Sequence, residues 1–213
     1  MNFSGPWDER PSLDAQLLEQ RVVRLWGPLD DASVARACAE MMALDATGDG
    51  AVQLYVGSSG GPLHSAMSLI DTMDLLGVPV RVTCLGRAEG AAVGVVAAGA
   101  RRVAAPHAQF HLAEPEVSVS GNASQLTAWA EQHRVELERF VKRLAQATGR
   151  PVEHLEADLS MGRWLGAEDA LRYGLVDEIW GPITREGGAG PAPPPSGPPP
   201  SGPARPFGFG PSR

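Results

Sequence analysis

The apolar residues of this chain switch repeatedly between two periods, and that alternation narrows the folds open to it more than any other feature. "VVRLW", "VQLYV" and "VRVTC" are short runs rich in β-branched residues. Between them, "DASVARACAEMMAL" and "LHSAMSLIDTMDLLG" carry apolar residues at helical spacing. A strand, a helix and a further strand joined in this way lie parallel, because the crossover returns the chain to the same end of the sheet. The repeat therefore predicts an α/β domain: a mainly parallel sheet of repeated β-α-β units with helices packed on it.

Strands are expected at 21–27, 52–56 and 80–85, with shorter ones in "RRVAA", "QFHLA" and "LVDEI". The alternation of "EVSVS" (116–120) suggests a partly exposed strand. Asp30 or Asp31 caps a helix running to about residue 44, with Val34, Cys38, Met41 and Met42 on its apolar side. Residues 63–77 place Ala66, Leu69, Ile70, Met73 and Leu76 on one face and end at Gly77, a C-terminal stop glycine. The longest helical pattern covers 123–148 and is stopped by Gly149 and Pro151; shorter helices follow at about 151–159 and 167–173.

Two composition shifts mark boundaries. Residues 1–16 are polar and proline-broken and read as an arm. Residues 181–213 are dominated by proline and glycine and cannot bury enough apolar surface to offset their ordering entropy, so a disordered or polyproline-like tail is expected there. The domain is then 17–180. A formal net charge of -7 leaves no basic stripe for phosphates, which argues against a nucleic-acid partner. No apolar run reaches ~18 residues without a charge, so no membrane span is expected. The first residues have neither the basic nor the apolar region of a signal peptide, and a cytoplasmic location follows as the expectation. Cys38 and Cys84 lie in apolar segments and read as buried free thiols rather than a disulfide. No metal site or cofactor is expected.

The segment 84–100, "CLGRAEGAAVGVVAAGA", runs from a strand through a glycine-punctuated turn into a helix of small residues. Glycine and alanine let neighbouring backbones approach closely, so this helix belongs at the centre of the core. It reads either as a plain core helix or as one whose N-terminal end faces a site. Many hydrolases seat a nucleophile at such a corner, yet Glu89, Gly90 and Ala91 stand there, and none is a serine or cysteine.

Four motifs in order carry a resemblance. "LLEQRVVRLWGPLDD", "LYVGSSGGPLHSAMSLIDTM", "TCLGRAEGAAVGVVAAGA" and "GAEDALRYGLVDEI" together resemble the Clp protease proteolytic subunit family (ClpP) across about residues 17–180. The resemblance implies the ClpP/crotonase-like fold, with the 123–148 helix and the segment before it as a protruding handle. It also implies acyl transfer by a serine, a histidine and an aspartate, with main-chain N–H groups as the oxyanion hole. Carried over position by position and without gaps, the serine falls on Gly90, the histidine on Ala113 and the aspartate on Gly162. None of these residues can do the chemistry. The oxyanion donors fall on Gly61 and Ala91, which keep their N–H groups. Ser59 replaces the family's proline, so a looser turn is expected there. Ser58, Ser59 and Ser160 read as turn residues.

His111 lies two residues before Ala113 on the same strand face, ~6.5–7 Å away along the strand. It reads as a filler or hydrogen-bonding histidine. With Glu89 it could still form an acid–base pair facing the vacated cavity. The ion pair by which the family joins its two stacked rings cannot form here, since Ser160 and Met161 occupy those positions. An oligomer is nevertheless expected, with Trp129, Leu137, Phe140 and Leu144 offering an apolar contact stripe on the handle. Phe207, Gly208 and Phe209 resemble the tripeptide by which Clp ATPases dock, although a sticky aromatic pair in a low-complexity tail is the preferred reading of them. The expected function is a catalytically inactive ClpP-like subunit, structural or regulatory, assembling with itself or with active ClpP subunits and with a Clp ATPase as a further partner. The alternatives are a repurposed acyl-binding or weak acyl-hydrolase enzyme using Glu89, His111 and the Gly61 and Ala91 donors, and a module that holds peptides in the old groove.

Overall fold

The computed structural model describes residues 13–115, 117 and 119–181. The described part opens with helix α1 (Leu13–Glu19), so residues 13–16 of the expected arm are helical. Strand β1 (Val22–Trp26) follows, entered through Arg21 at φ 59. The Arg21 guanidinium donates to Gly50 O at 2.8 Å and Gly48 O at 3.1 Å, which anchors this left-handed corner.

Helix α2 (Asp31–Thr47) is capped by Asp30 rather than Asp31. Ser33 N donates to the Asp30 carboxylate at 2.8 Å, and Asp30 N donates back to Ser33 Oγ at 3.1 Å. Its buried face is Val34, Ala37, Met41 and Leu44, whereas Met42 is 60% exposed and Cys38 is half-buried. The expected apolar side is thus rotated: Met42 sits one step round from Met41 and faces solvent. Strand β2 (Val52–Ser58) leads into helix α3 (Leu63–Leu75). Leu76 turns to an extended conformation, φ -66 and ψ 144, so the helix stops before Gly77, which is not left-handed.

Strand β3 (Val80–Glu89) is longer than expected, because Gly86 at φ 87 is absorbed within the strand. Its first half pairs with β2 and with β4 (Arg101–Ala104), and its second half pairs with β5 (Gln109–Leu112). Helix α4 (Ala91–Ala97) lies between them with every residue buried. A β-carbon on Gly94 would overlap the ring of Phe140 in helix α5 (Ala123–Thr148), so the small-residue stripe is there to let two helices touch. The last elements are α6 (Val152–Met161), β6 (Arg163–Gly166), α7 (Ala167–Tyr173) and β7 (Glu178–Ile179). The main path of the sheet is β1-β2-β3-β4-β7, all parallel, while β5 branches from β3 and pairs antiparallel with β6. Strand β6 was not expected, and "LVDEI" contributes only two residues of strand. Val117, Val119 and Ser120 are not in a strand; Glu116 and Ser118 lie outside the described residues.

Helix α5 has the expected limits, set by an Asn122–Gln125 capping box and by Gly149 at φ 69. Its buried residues are Phe140, Val141 and Leu144, all near its C-terminal end, and none of residues 123–139 is buried. This corrects the expected contact stripe. Phe140 and Leu144 belong to the chain's own core, and Leu137 packs against that core half-buried. Trp129 remains partly exposed, stacked on His133 with centroids 5.0 Å apart. Among the described residues no helix is long and apolar enough to cross a membrane. Both cysteines are free, with Cys84 fully buried and its thiol pushed up to about 12 by that burial. The tail, including Phe207 to Phe209, lies outside the described residues.

Candidate functional site

A cavity of about 280 Å³ opens where β3 ends, and three chain segments build it. Ser59, Gly60 and Gly61 come from the turn after β2; Glu89, Gly90 and Ala91 from the β3–α4 corner; His111 from β5, with Ala113, Glu114 and Pro115 after it. Gly61, Glu89, Gly90, Ala91, His111 and Ala113, all singled out in the sequence, therefore meet in one place.

The turn after β2 is tied down despite Ser59. Gly60 sits at φ 86, its N–H donates to Ser58 Oγ at 3.1 Å, and its carbonyl accepts from Leu29 N at 2.9 Å. A β-carbon on Gly60 would come within 2.7 Å of Glu89 O, so only glycine lets this turn meet the β3–α4 corner. Gly61 of this turn and Ala91, the first residue of α4, both line the cavity. Among the described residues neither N–H has a main-chain partner. Two free donors on one cavity suit a carbonyl or an oxyanion.

Gly90 caps α4 at φ 51 and ψ -122. Its N–H donates to His111 O at 3.0 Å, and a β-carbon there would find no atom nearer than Ala113 O at 3.7 Å. A β-carbon at Gly90 would fit at ordinary van der Waals distance, and none is present. Gly162 ends α6 at φ 69 and does not line the cavity, but a β-carbon on it would stand 3.3 Å from His111 Nε2. His111 thus fills the gap between the corner and the end of α6.

Glu89, His111 and Trp164 form a row across three strands. Glu89 pairs in register with His111, and His111 with Trp164. The His111 Nδ1 lies 3.6 Å from Glu89 Oε2, and the imidazole stacks on Trp164 with centroids 4.1 Å apart and planes 8° from parallel. Arg87 adds an ion pair at 3.1 Å to the other Glu89 oxygen. The Glu89 carboxylate is therefore held between a guanidinium and an imidazole. Arg87 and Trp164 escaped the sequence reading. Arg87 and Glu89 are two apart on one strand and so share a face, which was a readable signal; Trp164 lies on the unexpected β6.

Behind the row, Asp158 is a buried carboxylate. Burial opposes its ionisation, but Tyr173 Oη donates at 2.6 Å and Arg163 pairs with it at 3.0 Å, and these bonds hold its pKa below the usual carboxylate range. Burial and the same bond push the Tyr173 hydroxyl up. Among the described residues no cluster of histidine, cysteine and carboxylate side chains could hold a metal.

A branched, mainly parallel sheet with helices packed on it is the ClpP/crotonase-like α/β fold. The family model described as Clp protease matches residues 9–182, and the chain belongs to that family. The ATP-dependent Clp protease proteolytic subunit 1 of Mycobacterium tuberculosis is 35% identical over 179 residues, which cover 82% of this chain and 87% of its own. Subunit 2 of Rhodococcus jostii is 31% identical over 84% of this chain and 93% of its own, and subunit 2 of Thermobifida fusca is 33% identical over 77% and 82%.

Proposed function

We infer that this chain is a catalytically inactive ClpP-like subunit of the cytoplasm, a structural or regulatory component of a Clp protease-type ring assembly. It assembles with itself or with active ClpP subunits and modulates their peptidase activity or their docking to a Clp ATPase. The observation that carries this reading is the side-chain inventory of the cavity. Among its described lining residues the one hydroxyl is on Ser59, and no hydrogen bond joins it to His111. Gly90, Ala113 and Gly162, where the family resemblance assigns nucleophile, base and acid, offer no functional group. Without an activated nucleophile the main-chain donors can hold a carbonyl but cannot form an acyl-enzyme. Native mass spectrometry of the chain, alone and mixed with active ClpP of the same organism, tests it. Incorporation into a defined oligomer supports the reading, and a monomer under both conditions contradicts it.

A second reading, an acyl-processing enzyme, draws on the Glu89–His111 contact at 3.6 Å beside the Gly61 and Ala91 donors. A carboxylate that orients an imidazole near an oxyanion site is the arrangement of an acid–base catalyst. Calorimetric titration with an acyl-coenzyme A separates the two: saturable heat favours the enzyme, and none favours the inactive subunit.

A further inference from the structure

Glu89 and His111 line the cavity, and Trp164 continues their row onto β6. How tightly this row holds depends on a proton. At 3.6 Å, His111 Nδ1 and Glu89 Oε2 are too far apart for a hydrogen bond. A neutral imidazole therefore gains little from the carboxylate, whereas an imidazolium is attracted to it across that gap. The stack on Trp164 acts in the same direction. With centroids 4.1 Å apart and planes 8° from parallel, the imidazole lies over an indole face, which holds a cation more strongly than a neutral ring. Imidazoles ordinarily take up their proton between pH 8 and 5, where ordinary carboxylates and guanidinium groups keep their charge.

The other charges around His111 do not cancel this attraction. Arg87 on β3 pairs with the second Glu89 oxygen at 3.1 Å, but it is largely exposed and so screened by water and salt. Arg163 on β6 is engaged by Asp158 at 3.0 Å, and Asp158 also accepts from Tyr173. Helix α7 packs on β5, and its Arg172 pairs with Glu168 and Asp169 of the same helix. Helix α4, which also packs on β5, carries no charged residue, and α6 ends beside the imidazole at Gly162. Glu114, three residues beyond His111, lines the cavity and adds a negative charge.

We propose that His111 is a proton-operated latch: its protonation draws Glu89, His111 and Trp164 together, which fastens β6 to the cavity wall in mildly acidic conditions and loosens it in mildly alkaline ones. Strand β6 is where the latch acts, because among the described residues its one strand partner is β5. The inference stands on this row and holds for either reading of the cavity's function.

Hydrogen–deuterium exchange of the full chain at about pH 8 and about pH 5.5, corrected for the intrinsic pH dependence of amide exchange, tests it. The β6 amides should exchange about two- to fivefold more slowly at the lower pH, while those of β2, inside the sheet, should not follow. His111→Gln keeps a polar side chain and removes the titrating ring, so the difference should vanish. Trp164→Leu keeps the imidazole and removes the indole face; Trp164 is about half exposed, so this variant spares the core, and the difference should shrink. No slowing in β6, an equal slowing in β2, or a slowing that persists undiminished in His111→Gln or in Trp164→Leu would overturn the proposal.

Discussion

His111 faces Glu89 across the β3–β5 ladder, Nδ1 to Oε2 at 3.6 Å, while its Nε2 stands 3.3 Å from the place a β-carbon on Gly162 would take. Glycine at 162 and histidine at 111 therefore depend on each other. The Gly162→Ala variant meets two costs, a left-handed backbone at φ 69 and a tight approach to the imidazole. It should destabilise the protein by roughly 1–3 kcal/mol. In a His111→Ala background the steric part disappears, so the same change should cost less by about 0.5 kcal/mol or more. Urea unfolding of the four proteins gives the coupling, and strictly additive costs would show that the two residues are independent.

Gly90 makes the contrasting case. A β-carbon fits there without a clash, but the backbone, at φ 51 and ψ -122, disfavours any side chain. Gly90→Ser should fold, at a cost of roughly 1–3 kcal/mol. It should remain inert toward a fluorophosphonate, because Ala113 supplies no base for the new hydroxyl. Labelling of Gly90→Ser alone would mean that His111 can serve as that base.

Gly94 is fixed by packing rather than by backbone angle. A methyl group there overlaps the Phe140 ring, and both residues sit in a core without room to yield. Gly94→Ala should cost about 2 kcal/mol or more. Pairing it with Phe140→Leu should recover part of the loss relative to the sum of the single changes. A Gly94→Ala protein as stable as the wild type would show that contact with Phe140 is not what keeps this helix small.

These cases show what the residues disclosed and what they withheld. Helix α5 was legible to its last residue because Asn122 and Gly149 punctuate it. Its apolar stripe was legible too, but not what the stripe touches; Phe140 meets Gly94 of the same chain, a contact about 46 positions distant that no periodicity encodes. The gathering of Gly61, Glu89, Gly90, Ala91 and Ala113 followed from the spacing of the motifs. That His111 shares their face followed from strand parity. The stacking of Trp164 did not, since β6 is four residues without alternation and exists only by pairing with β5.

Asp158 gives the fold an acid limit. Its carboxyl is held below the ordinary value in the folded chain, so the unfolded chain binds its proton first. The stabilisation is present above the unfolded pKa, about 3.9, and is lost as pH falls through the lower folded value. Stability measured by urea unfolding should therefore fall below about pH 4, and Asp158→Asn should flatten that fall while lowering stability at neutral pH. An unchanged acid slope in Asp158→Asn would assign the loss to other carboxylates.

The central claim is that the family's hydrolytic machinery is absent from this cavity, and steady-state hydrolysis of small fluorogenic peptides by the purified full chain tests it most directly. The predicted result is release no faster than in buffer, unchanged by Glu89→Gln or His111→Ala. Steady turnover that either substitution abolishes would contradict the account.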